Sequence, residues 1–471
     1  MTTSTTTTLK TKVKKEKLTI KKIIGKTLIS LGVFAFWVCL WQLIYMRVNL
    51  DLIVPSPLGT GRKMLELIST TSFWQITGST VIRVIAGYLC GVALGLALAV
   101  VTYMSKVMYA LLRPMISIAR ATPVASLTVI IIVWVTNQRV PLFIVGLMVF
   151  PIIWGNTFEG IKNTDKKLLE MSRSFSVGAF SRFLHIYIPS VYPFFIAGAS
   201  TALGLAWKSG IAAEILGSTQ GSVGQQLNNA KVYLDSEGKF AWTVVVIVLS
   251  IIFERVFVWA LKKTTVRMPV RAKDCENNTC HGLNSTGYVC AENISKTYGE
   301  NQVLSDVNLC VNPGEVVAVR GASGTGKTTL LMILSGVIKA DKGKVKNEGG
   351  ISFLFQEDRL LPWLTAKENI LFVNPCADAE NLLALVSLEN AGDMYPDELS
   401  GGMKRRLAIA RTLAGKGEVV FLDEPFTGLD EELRKETAQR VFDYLKGRAV
   451  AIVTHDSDEA DRFATKSVYI K

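Results

Sequence analysis

Apolar and polar positions are divided unevenly along this chain. Residues 27–46, 84–105, 121–138, 140–158 and 186–207 are each free of Asp, Glu, Lys and Arg. A sixth run, 240–261, is interrupted only by the adjacent Glu254 and Arg255. Runs of about 20 apolar residues can cross the hydrocarbon core as helices, because a helix pairs its own backbone groups internally. From about residue 286 the pattern changes to short apolar stretches alternating with helical spacing, as in a soluble α/β domain. The pattern therefore predicts an all-α membrane domain of six transmembrane helices over 27–262. A cytoplasmic linker, 263–285, joins it to an α/β domain over 286–471. The opening "MTTSTTTTLKTKVKKEK" is polar and low in complexity, so residues 1–26 read as a basic, disordered tail. The first apolar run is long enough to span and no small-residue cleavage site follows it, which favours a retained helix over a signal peptide.

Composition supports this division: 49% of the 471 residues are apolar, too many for an ordinary soluble chain of this length. The net charge of +13 invites a nucleic-acid reading, but the placement of the basic residues excludes it. Lys10, Lys12, Lys14, Lys15, Lys17, Lys21, Lys22 and Lys26 precede the first span. Lys162, Lys166, Lys167, Arg173 and Arg182 lie between the fourth and fifth, and Lys262, Lys263, Arg267, Arg271 and Lys273 follow the sixth. With six spans all three clusters fall on one side, which the positive-inside rule makes cytoplasmic. The seven cysteines lack metal-ligand spacing, and Cys275, Cys280 and Cys290, near His281, read as reduced thiols of a cytoplasmic linker. The sequons at Asn277 and Asn284 are then on the wrong side for glycosylation.

"VVAVRGASGTGKTTLLMILSG" (316–336) is an apolar strand, a glycine-rich loop and an amphipathic helix in succession. Gly321, Gly326, Lys327 and Thr328 fit G-x-x-x-x-G-K-[ST] within Gly321, Ala322, Ser323, Gly324, Thr325, Gly326, Lys327, Thr328 and Thr329. In such a loop backbone N–H groups face phosphate oxygens, the lysine reaches the β- and γ-phosphates, and the hydroxyl ligates Mg²⁺. "GEVVFLDEPFTGLD" (417–430) ends a buried strand in Asp423, suited to Mg²⁺, and Glu424, suited to polarising the attacking water. "RAVAIVTHD" (448–456) ends another strand at His455, within reach of a γ-phosphate. "ELSGGMKRR" (398–406) adds a second phosphate-gripping corner, Ser400, Gly401, Gly402 and Met403, at a helix N-terminus.

The order of these elements, with "TGLD" and "THD", resembles the nucleotide-binding domain of an ABC transporter over 286–471. The resemblance implies that Tyr298 stacks on adenine and that Gln356 senses Mg²⁺ and the γ-phosphate. It also implies that Asp430 communicates across a dimer and that Ser400 to Met403 cap ATP held by an opposite subunit. Met403 stands where most of the superfamily has Gln. The separation of Lys327 from Gln356, 29 positions, is short for the family. Neither departure removes a catalytic residue.

The loop "LLEMSRSFSVGAFSRFLHIYIPSVYP" (168–193) resembles the E-A-A…G…I-x-L-P segment of type I ABC importers, which docks into the ATPase. Glu170, Ile186 and Pro189 match; Ser172 replaces an alanine and Ser176 the glycine. Arg173, Phe175, Phe180 and Phe183 are the expected anchors. "LIVPSPLGTGRKMLELI", "AWKSGIAAEILGSTQGSVGQQL" and "LLPWLT" resemble the nitrate/sulfonate/taurine importer branch, whose members usually keep permease and ATPase on separate chains. Lys208 and Glu214 follow a charge-free run and either line the substrate path or pair at the interface.

What the resemblance implies is an ATP- and Mg²⁺-dependent importer in the bacterial inner membrane. It would act as a homodimer with cytoplasmic ATPase domains, moving a small solute delivered by an extracellular binding protein. A fused exporter would lack the docking segment, and an ATP-binding regulator would lack catalytic groups such as Lys327, Glu424 or His455. A sulfonate, taurine or nitrate-like anion is favoured, with a thiamine-precursor pyrimidine as the alternative.

Overall fold

The computed structural model describes residues 29, 31–263, 268–273, 286–322, 324–454 and 461–470. Residues 1–26, Ser323, Cys275, Cys280, His281 and His455 lie outside the described residues. Contacts divide the chain into two compact units, Met1–Glu159 with Phe194–Thr264, and Gly160–Pro193 with Thr265–Lys471.

The first unit is helical. Its elements are α1 (Leu31–Val48), α2 (Pro57–Ile68), α3 (Thr71–Met104), α4 (Lys106–Ala121), α5 (Val124–Trp134) and α6 (Val140–Lys162). After α7 (Lys166–Ser174) and α8 (Ala179–Arg182) of the second unit, α9 (Ile188–Leu216), α10 (Val223–Val232) and α11 (Ser236–Lys263) follow. Among the described residues five helices are long and apolar enough to cross a membrane: α1, α3, α6, the run Ala179–Leu216 and Ser236–Ala260. The run expected over 121–138 is not one straight span. Instead α4 and α5 meet at a 107° bend, and counting the pair as one gives six. The cause is Pro123, which lacks an N–H and forces Thr122 into extended backbone at φ −76°, ψ 127°.

Small residues let α3 and α6 approach closely. A Cβ at Gly91 would stand 2.7 Å from the Cβ of Val149, and one at Gly95 2.7 Å from that of Ile153. Without a hydrophobic effect between helices in lipid, such close van der Waals contact is a main source of association. A buried polar cluster also ties α3 to α9. The fully buried Glu214 accepts hydrogen bonds from the Thr80 hydroxyl (3.1 Å), the Gly224 N–H (3.1 Å) and Arg83 (3.2 Å). Arg83 continues to the Gln138 side chain and the Gln220 carbonyl. Glu214 is thus a satisfied structural carboxylate. Lys208 is not among its partners.

The second unit holds two sheets. Strands β1 (Val289–Tyr298), β2 (Asn301–Val311), β3 (Val316–Arg320), β4 (Lys342–Asn347), β5 (Ile351–Leu354), β6 (Val419–Asp423), β7 (Ala449–Val453) and β8 (Lys466–Tyr469) arrange as β2-β1-β4 and β5-β6-β7-β3-β8. The first sheet is antiparallel and the second parallel. Every residue of β6 and β7 is buried, as expected for strands covered on both faces. Helices α12 (Lys327–Leu334), α13 (Ala366–Val373), α14 (Ala379–Leu385), α15 (Gly401–Ala414) and α16 (Glu431–Tyr444) flank the parallel sheet. Cys290, expected as a reduced linker thiol, is corrected by its place in β1. The antiparallel register sets it opposite Cys310 of β2, and the two form a disulfide with Cα atoms 4.2 Å apart.

Candidate ATP site and docking segment

Strands β3 and β6 are separated only by β7, so the loop after β3 and the acids after β6 share the carboxyl edge of one parallel sheet. That edge is where α/β sheets bind ligands. In the loop, Gly324 (φ +85°) and Gly326 (φ +88°) take left-handed backbone that side chains disfavour. A Cβ at Gly321 would sit 2.6 Å from the Ile470 carbonyl. Lys327, at the start of α12, is 7% exposed, and its ammonium donates to the carbonyls of Gly321 (2.9 Å) and Ala322 (2.7 Å). The Thr325 hydroxyl donates to Ala322 (2.9 Å), and Thr328 and Thr329 complete the first turn.

Asp423 ends β6 at 1% exposure, and neither carboxylate oxygen has a hydrogen-bond partner. Burial raises its pKa above the ordinary carboxylate value, and the Glu424 charge adds to the rise. The Thr328 hydroxyl, Arg405 and Lys327 oppose it. A buried carboxylate with two unpaired oxygens beside a threonine hydroxyl is a hard-oxygen donor set, which fits Mg²⁺. Glu424 follows in left-handed backbone (φ +47°), and its N–H donates to Val453 (2.8 Å). The Thr427 hydroxyl reaches its carboxylate at 3.4 Å. Gln356 is exposed just beyond β5, and Asp430 is the N-cap residue of α16. Tyr298 ends β1 at 48% exposure, with the Lys296 ammonium 5.6 Å from its ring centroid.

The Ser-Gly-Gly corner is carried elsewhere in the fold. Ser400 caps α15 by accepting the Met403 N–H at 3.3 Å, and Gly401 is open to solvent. A Cβ on Gly402 would meet the Gly428 carbonyl at 3.2 Å, so the corner rests on the "TGLD" turn. Helix α15 packs on α13, α14 and β5, whereas α12 packs on β1, β4 and β6.

Two arginines of α15 have structural roles that the sequence reading does not assign. Arg405 is 4% exposed and donates to the carbonyls of Pro425, Phe355, Gln356, Asp423 and Glu424 at 2.6–3.2 Å, and to the Asp358 carboxylate at 3.2 Å. Burial lowers its pKa against the pull of Asp358, Asp423 and Glu424. Arg411, 1% exposed, donates to the carbonyls of Arg359 and Asp358, each at 2.7 Å, and burial pushes its pKa down to about 9. The only signal for either in the sequence is a basic residue on a helix otherwise spaced for burial.

Within this unit α7 and the turn after it pack on the ATPase core. Leu168, Met171, Phe175, Val177 and Ile186 join a buried cluster that includes Phe355, Leu361, Leu364 and Phe372. Arg359 pairs with Glu170 at 2.9 Å while its guanidinium lies 3.8 Å from the Phe355 ring centroid. The Trp363 indole donates to the His185 carbonyl at 2.7 Å. Of the expected anchors Phe175 is buried; Arg173 is exposed on α7, and Phe180 (76% exposed) and Phe183 (50% exposed) are presented outward after the chain turns at 176–178. Ser176 holds φ +55°, which explains a glycine at this place in the importer pattern. The Glu170–Arg359 pair is half exposed on the acid side, so a Glu170→Gln chain should lose about 1 kcal/mol of docking. The measurement is ATPase stimulation through the permease, which should need roughly fivefold more stimulus for the same rate.

A P-loop, a magnesium-fitting acid and a signature corner on one α/β scaffold define an ATP-hydrolysing cassette. Over residues 304–427 the chain matches the family described as ABC transporter, and over 91–266 that described as binding-protein-dependent transport system inner membrane component. It is 41% identical to the aliphatic sulfonates import ATP-binding protein SsuB 1 of Pseudomonas aeruginosa (strain UCBPP-PA14), covering 36% of this chain and 75% of that one. It is 38% identical to the probable sulfate/thiosulfate import ATP-binding protein CysA of Chlorella vulgaris (39% and 87%). The bicarbonate transport ATP-binding protein CmpD of Synechocystis sp. is 41% identical (37% and 71%). The chain belongs to the ABC transporter family: a membrane protein with an importer permease domain and an ATPase domain fused, using ATP and Mg²⁺ and coupling hydrolysis to transport.

Proposed function

We propose that this chain imports a small oxyanion, a sulfonate, taurine or nitrate-like solute, handed over by a separate binding protein on the outer side. The observation that carries the reading is the packing of 168–186 on the cassette through Phe175, Ile186 and the Glu170–Arg359 pair. An importer needs such a mechanical link between hydrolysis and the permease. The anion preference draws support from relatives named for sulfonate, sulfate/thiosulfate and bicarbonate. In this reading Lys327, Thr328, Gln356 and Asp423 hold ATP and Mg²⁺, Tyr298 meets the adenine, Glu424 handles the attacking water, and His455 reaches the γ-phosphate. Ser400 to Met403 reach the γ-phosphate held by a second copy of the chain, Asp430 signals across that interface, and the protein works as a homodimer. The chain crosses the membrane six times with its N-terminus and ATPase in the cytoplasm. In reconstituted vesicles, a cognate binding protein loaded with taurine or an aliphatic sulfonate should raise ATPase activity several-fold and drive uptake. Stimulation by no loaded anion-binding protein, with no uptake, would overturn the reading.

A further inference from the structure

The disulfide Cys290–Cys310 stands on the outer side of its sheet. Val289, Ala291, Leu309 and Val311, the neighbours of the two cysteines along β1 and β2, are at most 3% exposed, whereas both cysteines are only half-buried. Successive side chains of a strand point to opposite faces, so the core does not use these sulfurs. Cysteines kept for packing are usually among the most buried residues, and packing therefore does not account for this pair. The two Cα atoms, 4.2 Å apart, have the close spacing of a non-hydrogen-bonded antiparallel pair, where facing side chains come nearest. On the other flank of β1, Lys346 of β4 is directly opposite Cys290 in register. The Lys346 side chain is 64% exposed, and its ammonium lies 3.6 Å from the Glu292 carboxylate. A cation beside a partly exposed cysteine favours the thiolate, the form that attacks disulfides.

The hairpin that these cysteines close reaches the phosphate loop. It turns between Tyr298 and Asn301 at one end and is tied at the other by cysteines 20 residues apart. Between those ends β1 carries three register shifts, and each interrupts the ladder locally. A Cβ on Gly326 would stand 2.6 Å from Cγ1 of Val303 and 2.9 Å from Cδ2 of Leu304. Strand β2 therefore lies directly against the loop that carries Lys327.

We propose that Cys290 and Cys310 are a reversible thiol–disulfide modification site, and that its closure braces the hairpin against the phosphate loop and tightens ATP binding. This rests on the cytoplasmic placement of the ATPase proposed above, since disulfides in that compartment are usually transient and redox-sensing. The oxidant is a low-molecular-weight disulfide. The Cys290 thiolate attacks one of its sulfurs, breaking the external S–S bond and expelling one thiolate. Cys310, as thiolate, then attacks the Cys290 sulfur and expels the second. Each released thiolate takes up a proton that a protein thiol gave to solvent. Two protein thiols are thus oxidised while one external disulfide is reduced to two thiols.

The test titrates the purified full-length chain in glutathione buffers. The pair is read by maleimide alkylation and mass mapping of the peptides that carry residues 290 and 310. It should be open in a buffer as reducing as the cytosol and closed in oxidised glutathione. The KM for ATP should be about threefold lower in the closed form, because a braced hairpin has less ordering left to do on binding. Cys290→Ser and Cys310→Ser chains should keep the higher KM in both buffers, which separates this pair from the other cysteines. A pair that is closed in both buffers, or open in both, would overturn the proposal, and neither result needs a variant to fold. Closure with no change in KM would overturn it as well. Digestion of the ATPase by protease added outside intact cells would fault the orientation reading and leave the titration of the purified chain standing.

Discussion

A Glu424→Gln chain is expected to turn over ATP roughly 100- to 10,000-fold more slowly than the unaltered chain, the range for loss of a general base. Its affinity for ATP should stay within a few-fold. The argument starts from the backbone. Residue 424 holds φ +47°, a conformation costing of order 1–3 kcal/mol for a residue with a Cβ. It is held there by its N–H on Val453 and by the arginine donating to its carbonyl at 2.7 Å. The turn ends the line of β6 immediately after the buried Asp423, so two consecutive acids take different roles. Asp423 is sunk among apolar strands and suited to a cation, whereas Glu424 is only half-buried and within reach of a water. Glutamine keeps size and backbone strain but cannot take a proton. Phosphate release and binding of a non-hydrolysable ATP analogue, measured together, separate the two effects. Unchanged turnover would mean that another group activates the water.

The sequence told more about the ATP site than about what supports it. Phosphate loops are legible because glycines at fixed spacing answer a backbone need, as Gly324 and Gly326 show with their positive φ. The strand ending in Asp423 was legible for a similar reason, since four apolar residues before two acids have few other uses. The break between α4 and α5 was written at Thr122–Pro123, yet Pro114, Pro151 and Pro193 sit inside helices without ending them. Proline alone therefore does not decide. The docking anchors were misplaced because an aromatic's position in a loop says nothing of which way the turn points it; Ser176 in left-handed backbone sends Phe180 outward. The Cys290–Cys310 pairing needed the register of β1 and β2, which depends on partners 20 residues apart.

Arg405 is the clearest case of a residue that hydropathy hides, because charged side chains are almost never fully buried unless paired. An Arg405→Met chain is expected to lose about 3–5 kcal/mol of stability in its ATPase domain, since it strands carbonyl acceptors without partners. For a domain of 150–250 residues that corresponds to a melting temperature lower by roughly 10 °C. Five carbonyls from three segments converge on this one guanidinium: the stretch after β5, the end of β6 and the turn beyond it. Those segments carry Gln356, Asp423 and Glu424, so loosening them should also lower turnover at saturating ATP more than it weakens ATP binding. Arg405→Lys discriminates between charge and shape. An ammonium keeps the charge but lacks the planar fork that spans separate carbonyls. The lysine chain should therefore melt between the methionine chain and the unaltered one. A lysine chain that melts and turns over like the unaltered protein would show that charge near Asp358 suffices, and that the fork does not hold the three segments together.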